Sequence, residues 1–229
     1  MSSTEPGTAK PRVLFVYFTY TQQALRVVEE MTAALRDRGC DVDQAKIEFT
    51  DKRWADRFSR FPLKHSYLDV LGMLPAQARN ATGEIEIPAE AQEGDYDLVC
   101  IGSPTWFFRP SVPIRSYLKS DAAGRVLAGK RFTAFVVCRR YWNTNLKSVK
   151  KMGIEQGGNY IDGVHFTYEG GQVRSLLSLL SYFGKGENRP RYLGVKIPPT
   201  NLKPDFSEQA KSFANDLADG LLAPESNVS

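Results

Sequence analysis

Val13-Leu14-Phe15-Val16-Tyr17-Phe18, followed at once by Thr19-Tyr20-Thr21-Gln22-Gln23-Ala24, decides how the rest of the chain is read. Six apolar residues with no polar interruption predict a strand buried on both faces, as at the centre of a parallel sheet. Beyond the polar loop, an amphipathic helix is expected from about Gln22 to Arg38. Ala24, Val28, Met31 and Leu35 make its inner stripe, and Gly39 is placed to end it. A turn from strand into helix aims free backbone N–H groups and the positive end of the helix dipole at one point. Thr19 and Thr21 add hydroxyls there, and Gln22 and Gln23 add amides, so an anion could be held without Lys or Arg. Helix capping alone accounts for the same residues about as well. The turn carries neither Gly-x-x-x-x-Gly-Lys nor Gly-x-Gly-x-x-Gly.

The same alternation continues outward. Val42 to Ile47 reads as a weaker strand nearer an edge, Leu98 to Ile101 as a strong one, and Phe132 to Cys138 as a third buried strand. A helix is expected after Ser111, a plausible N-cap, with Pro113 in its first turn, where a missing N–H costs nothing. Another is marked by Leu146, Val149 and Met152 and ends near Gly157-Gly158. The last begins around Asp205, whose spacing to Glu208 resembles a capping box, with Ala210, Phe213, Ala214 and Leu217 facing inward. Strands alternating with helices predict a doubly wound α/β three-layer sandwich. One domain is expected over residues 12–222, between a flexible tail 1–11 and a C-terminal tail 223–229. Two stretches, near 48–95 and 169–204, exceed what a minimal sheet requires. The second holds a Gly-flanked apolar helix and a strand-like Tyr192 to Ile197.

Composition narrows the function classes. With 229 residues, 42% hydrophobic and 11% aromatic, the chain has enough apolar material for a real core. A formal charge of +4 is too small to point to nucleic acid. Cys40, Cys100 and Cys138 are too few and too scattered for a disulfide framework. With only His65 and His165 besides, no metal centre is expected. The polar start lacks the apolar core of a secretory signal. The apolar stretch Val173 to Phe183 falls short of the roughly 20 residues that cross a bilayer. A soluble, cytoplasmic protein with no membrane span is therefore expected. The Val173, Leu176, Leu177, Leu180 and Phe183 stripe reads as core or, failing that, as a face for homo-oligomer formation.

Tyr96-Asp97-Leu98-Val99-Cys100-Ile101-Gly102-Ser103-Pro104-Thr105-Trp106 is similar to the strand ending in Gly-Ser-Pro-Thr-aromatic of the flavodoxin-like family. The first loop resembles that family's Ser/Thr-x-Thr-Gly-x-Thr phosphate loop. Thr19, Thr21 and Gln23 match it, while Gln22 stands where Gly is usual and Ala24 where a third hydroxyl is usual. The resemblance implies strand order 2-1-3-4-5 and FMN held at the carboxyl ends of the strands. It implies that the phosphate is wrapped by Thr19, Thr21, Gln22, Gln23 and Ala24. The isoalloxazine ring would lie against Ser103, Pro104, Thr105, Trp106 and Phe107, with Gly102 and Ser103 allowing close backbone approach.

A third ligand loop is expected after the strand ending at Cys138: Arg139, Arg140, Tyr141, Trp142 and Asn143. Its aromatics would border the ring, and its arginines would pair with an anionic group of the flavin or of a nicotinamide nucleotide. Eight basic residues and no acidic ones lie between Ala122 and Ile154, which reads equally as an NADPH phosphate site and as a solvated face. Arg53-Trp54, Arg57-Phe58 and Arg60-Phe61 read as a lid over the cofactor edge or as a packing helix. Cys100 and Cys138 read as inert core thiols, and neither histidine as catalytic. The function expected is an FMN-dependent oxidoreductase that passes hydride from NADH or NADPH through the flavin to a quinone or similar planar small-molecule acceptor. The alternatives are a flavodoxin-type electron-transfer protein and a flavin-free scaffold of the same fold.

Overall fold

The computed structural model describes residues 9–54 and 61–223. Five parallel strands, β1 (Arg12–Tyr17), β2 (Asp41–Lys46), β3 (Leu98–Trp106), β4 (Arg131–Cys138) and β5 (Asn159–Thr167), lie in the order β2-β1-β3-β4-β5. The register runs straight across the middle, with Phe15 between Gln44 and Cys100, and Cys100 next to Thr133. Because side chains alternate along a strand, the apolar run of β1 divides between two cores. Val13, Phe15 and Tyr17 pack under α1 (Gln23–Asp37) and the last helix, while Leu14, Val16 and Phe18 pack on the opposite face.

The remaining described helices are α2 (Ser66–Leu71), α3 (Leu74–Ala78), α4 (Val112–Tyr117), α5 (Asp121–Leu127), α6 (Trp142–Glu155), α7 (Gln172–Lys185) and α8 (Phe206–Leu222). The expected inner stripes of α1 and α8 are buried, and Gly39 leaves α1 at φ 87°. Two expected caps do not form. Ser111 donates its backbone N–H to Ser103 Oγ at 3.2 Å while its own hydroxyl is buried without a partner, and Asp205 makes no side-chain cap.

The edge of the sheet differs from the sequence reading. β5, which local pattern did not reveal, carries a bulge at Ile161 and buries only Val164 and Phe166, as a strand at the margin does. Tyr192 to Ile197 is instead a two-residue-per-arm hairpin, Arg191–Tyr192 against Val195–Lys196, outside the main sheet. Leu193 and Gly194 both turn at positive φ between its arms.

Of the Arg-aromatic segment, Arg57, Phe58 and Arg60 lie outside the described residues. Arg53 and Trp54 anchor rather than cover. Arg53 pairs with buried Asp51 at 2.5 Å, and Trp54 stacks on Phe49. That guanidinium, with backbone N–H groups of Arg53 and Glu84, holds the Asp51 carboxyl at a pKa of about 2. Arg115, wholly buried, fastens this insertion to α4 through Ala81 O (2.8 and 2.6 Å) and Gln77 Oε1 (2.7 Å).

Among the described residues no helix is long and apolar enough to cross a membrane, and no cluster of His, Cys, Asp and Glu is arranged to hold a metal.

Candidate functional site at the carboxyl edge of the sheet

The loops after β1, β3 and β4 open on one side of the sheet around a cavity of about 270 Å³. Thr19, Thr21 and Ala24 line it from the first loop, Pro104, Thr105, Trp106 and Phe107 from the second, and Arg139, Arg140 and Tyr141 from the third. The expected residues Gln22, Gln23, Ser103, Trp142 and Asn143 are not in its lining, for local reasons. Gln22 is exposed. Gln23 turns inward, and its Oε1 accepts from Leu202 N (3.2 Å) and Arg26 Nη1 (3.1 Å), tying α1 to the C-terminal part of the chain. Ser103 braces the start of α4. Trp142 opens α6 facing β5, where it stacks on His165, and Asn143 is exposed.

Strain marks this rim. Gln22 (φ 63°), Phe107 (47°), Phe108 (70°) and Tyr141 (62°) are non-glycine residues in the left-handed region, and all three loops contain at least one. Each such residue costs about 1–2 kcal/mol and persists only where the surroundings impose it, often at ligand sites. The second loop shows how. Thr105-Trp106 folds back antiparallel on Arg109-Pro110, leaving Phe107-Phe108 as a two-residue turn. A tight turn with two positive φ angles normally takes Asn and Gly. Here the aromatics are held by Trp106 edge-on to Phe18 (5.6 Å), by Phe108 against Tyr141 (4.7 Å) and by Thr144 Oγ1 donating to Phe108 O at 2.6 Å.

Gly102 serves the core rather than a ligand. A Cβ there would lie 2.1 Å from Phe135 Cζ, so the expectation that it admits close approach of a ring is replaced by internal packing. Asn145, fully buried and missed by sequence reasoning, donates to Thr105 Oγ1 at 2.8 Å and joins α6 to the second loop. Burial pushes the Cys138 thiol up to about 12, so it is no nucleophile at neutral pH, and neither histidine lines the cavity.

The two insertions complete the walls, which local sequence did not foretell. Val70 and Met73 enter from the first, and Leu176, Leu179 and Phe183 from α7. Tyr20 stands between them, edge-on to Phe61 (5.6 Å) and Phe183 (5.4 Å). The α7 stripe is therefore not core. Ser175, Ser178 and Ser181 face inward, Val173 and Leu176 are 72% and 49% exposed, and the leucines divide between the cavity and solvent.

Two polar side chains of the lining, Thr19 and Arg139, each leave a buried atom without a partner. Thr19 is 5% exposed, and its Oγ1 has no hydrogen-bond partner. Arg139 donates to Ser175 Oγ through Nη1, while its Nη2 is buried and unpartnered. Of the eight basic residues of the tract, only Arg139 and Arg140 line the cavity. Lys130 pairs with Asp95 and Arg131 donates to Gly220 O at the far end of the sheet, while Lys151 pairs with Glu155 along α6.

No protein-family model and no curated protein matches the sequence. Solved structures do match in fold. They include a Lactobacillus acidophilus flavoprotein in complex with FMN, with TM-score 0.53, 18% identity and coverage of 69% of this chain and 93% of that one. A flavodoxin from the domain Archaea and oxidised flavodoxin 1 of Bacillus cereus each give a TM-score of 0.50. They are 9% and 10% identical, and in each case 93% of this chain and 99% of the other are covered. With the strand order β2-β1-β3-β4-β5 between two helical layers, the fold is flavodoxin-like.

Proposed function

We propose that this protein binds FMN in the cavity and acts as an oxidoreductase, taking hydride from NADH or NADPH and reducing a quinone or similar planar small molecule. The observation that carries this reading is the buried, unpartnered Thr19 hydroxyl, in the loop that leads into α1 and in the lining of a mainly apolar, aromatic-walled cavity. An orphaned hydroxyl beside free helix N–H groups fits a phosphate, and the slot fits a flat ring. FMN supplies the redox chemistry at its ring, and the protein binds, orients and shields it.

Thr19, Thr21 and the first turn of α1 hold the phosphate. Trp106 and Phe107 border the ring, and Leu176, Leu179 and Phe183 keep water from it. Arg140, exposed at the rim beside Tyr141, meets the charged part of the nicotinamide nucleotide. Among the described residues no carboxylate or histidine lines the cavity, and a two-step exchange through a flavin requires no residue as acid or base. The insertion walls favour a small acceptor over a protein electron partner, which needs an uncovered ring edge.

The test is to load the purified chain with FMN and mix it anaerobically with NADH or NADPH, then with a soluble benzoquinone. Bleaching of the 450 nm flavin band, followed by its recovery, is expected. A bound flavin that neither nucleotide bleaches overturns the oxidoreductase reading, and failure to bind FMN overturns the whole.

A further inference from the structure

Among the described residues Arg139 has no charged partner. No Asp or Glu pairs with it among the described residues, although its guanidinium is largely withdrawn from water. Burial alone lowers its pKa to about 10. Taking a cation out of water costs several kcal/mol unless an opposite charge meets it. Its surroundings place it beside the first loop. The guanidinium carbon lies 4.2 Å from the centroid of the Tyr168 ring, and the Tyr168 hydroxyl is hydrogen-bonded to Thr21. The first turn of α1, through Ala24, and the Arg139 cation thus line one cavity together with two unsatisfied polar atoms, Arg139 Nη2 and Thr19 Oγ1. Ala24, also in the lining, offers no side-chain donor.

We propose that Arg139 is the charge that recognises the terminal phosphate of the flavin, so that this site selects a dianionic phosphate monoester and discriminates sharply against the uncharged riboflavin. The inference rests on the FMN reading for the identity of the ligand but not for the existence of the anion site. A fork of guanidinium donors matches two phosphate oxygens and supplies a charge-assisted bond, about twice as strong as a neutral one. Arg139 faces Tyr168 and Ser175, on the inner side of the loop, and Arg140 faces Tyr141 at the rim, so the two arginines divide between flavin phosphate and nicotinamide nucleotide. The Ser175 contact adds a consequence. The ligand's phosphate, through Arg139, also steadies α7, whose flanking Gly170 and Gly186 turn at φ 82° and 77°.

The experiment uses the intact chain with inorganic phosphate as the first probe, and FMN and riboflavin as the second. Phosphate is expected to raise the melting temperature of the wild type and of Arg139→Lys, but not of Arg139→Met. The FMN-to-riboflavin affinity ratio is expected to fall at least tenfold in Arg139→Met with riboflavin binding unchanged. In the wild type, FMN affinity falls with added NaCl and riboflavin affinity does not. If Arg139→Met fails to fold, Arg139→Gln, which removes the charge and leaves a donor for Ser175, takes its place with the same expected results. An unchanged ratio, or phosphate protection independent of residue 139, overturns the proposal and leaves FMN binding intact. Arg139-dependent phosphate protection without FMN binding upholds the anion site and overturns the proposed function.

Discussion

The imidazole of His165 lies flat on the indole of Trp142, with ring centroids 3.9 Å apart and planes 6° from parallel. The pair explains why Trp142 is absent from the cavity, and it also makes a pH prediction. Burial first, and then the charge of Lys203, lower the His165 pKa below its ordinary 6.5. Between that lowered value and 6.5 the unfolded chain binds more protons than the folded one, so stability falls as pH drops below 6.5 and is unaffected above it. Thermal unfolding from about pH 7.5 to pH 5 should show a larger loss for the wild type than for His165→Gln. Parallel pH profiles would show that the stacked imidazole takes up its proton freely.

Gly102→Ala is expected to destabilise the fold without a selective effect on ligand binding. The added methyl would meet Phe135 at 2.1 Å in the middle of β3, where both neighbouring strands fix the backbone. Overpacking of this kind costs about 1–3 kcal/mol. Urea unfolding measures it, and Phe135→Leu in the same chain should recover part of the loss. A neutral Gly102→Ala would mean that the Phe135 ring swings aside freely.

Gln22→Gly is expected to stabilise the protein by about 1 kcal/mol, because residue 22 sits at φ 63° and its side chain is exposed. Glycine takes that conformation without a Cβ clash. A chain of this size gains about 2–4 °C per kcal/mol, which calorimetry resolves. Since Gln22 does not line the cavity, flavin affinity should stay within twofold. A tenfold loss would return the Gln22 amide to the phosphate site.

The parts legible in the sequence are those with a local cause. β1 could be read because its unbroken apolar run feeds two cores, and the α1 stripe because helical period and burial agree. The three loops were found because each follows a strand directly. What escaped depends on contacts between distant segments. β5 hides because a marginal strand needs only Val164 and Phe166 inside. The α7 leucines resemble core because pattern cannot reveal that its serines find partners inward, Ser178 with Thr200 at 2.5 Å and Ser175 with Arg139. Trp142 is lost to the cavity because Tyr141, at φ 62°, turns the start of α6 toward β5. Val70, Met73 and Tyr168 reach the site only through tertiary packing.

Thr19→Val separates a ligand site from an idle cavity by the sign of two effects. In the protein without ligand, the Thr19 hydroxyl is buried and unpartnered, a burden of about 1–3 kcal/mol. Valine keeps the shape and removes the burden, so the ligand-free protein should melt higher. With FMN present, the same change deletes a hydrogen bond to a charged phosphate, worth about 1.5–3 kcal/mol, and affinity should fall roughly ten- to a hundredfold. A residue kept only for packing would move both quantities together or neither. Higher stability with weaker FMN binding is therefore the expected pair, read by calorimetry and by fluorescence titration. A variant that melts higher and binds FMN as tightly as the wild type would remove Thr19 from the phosphate's partners.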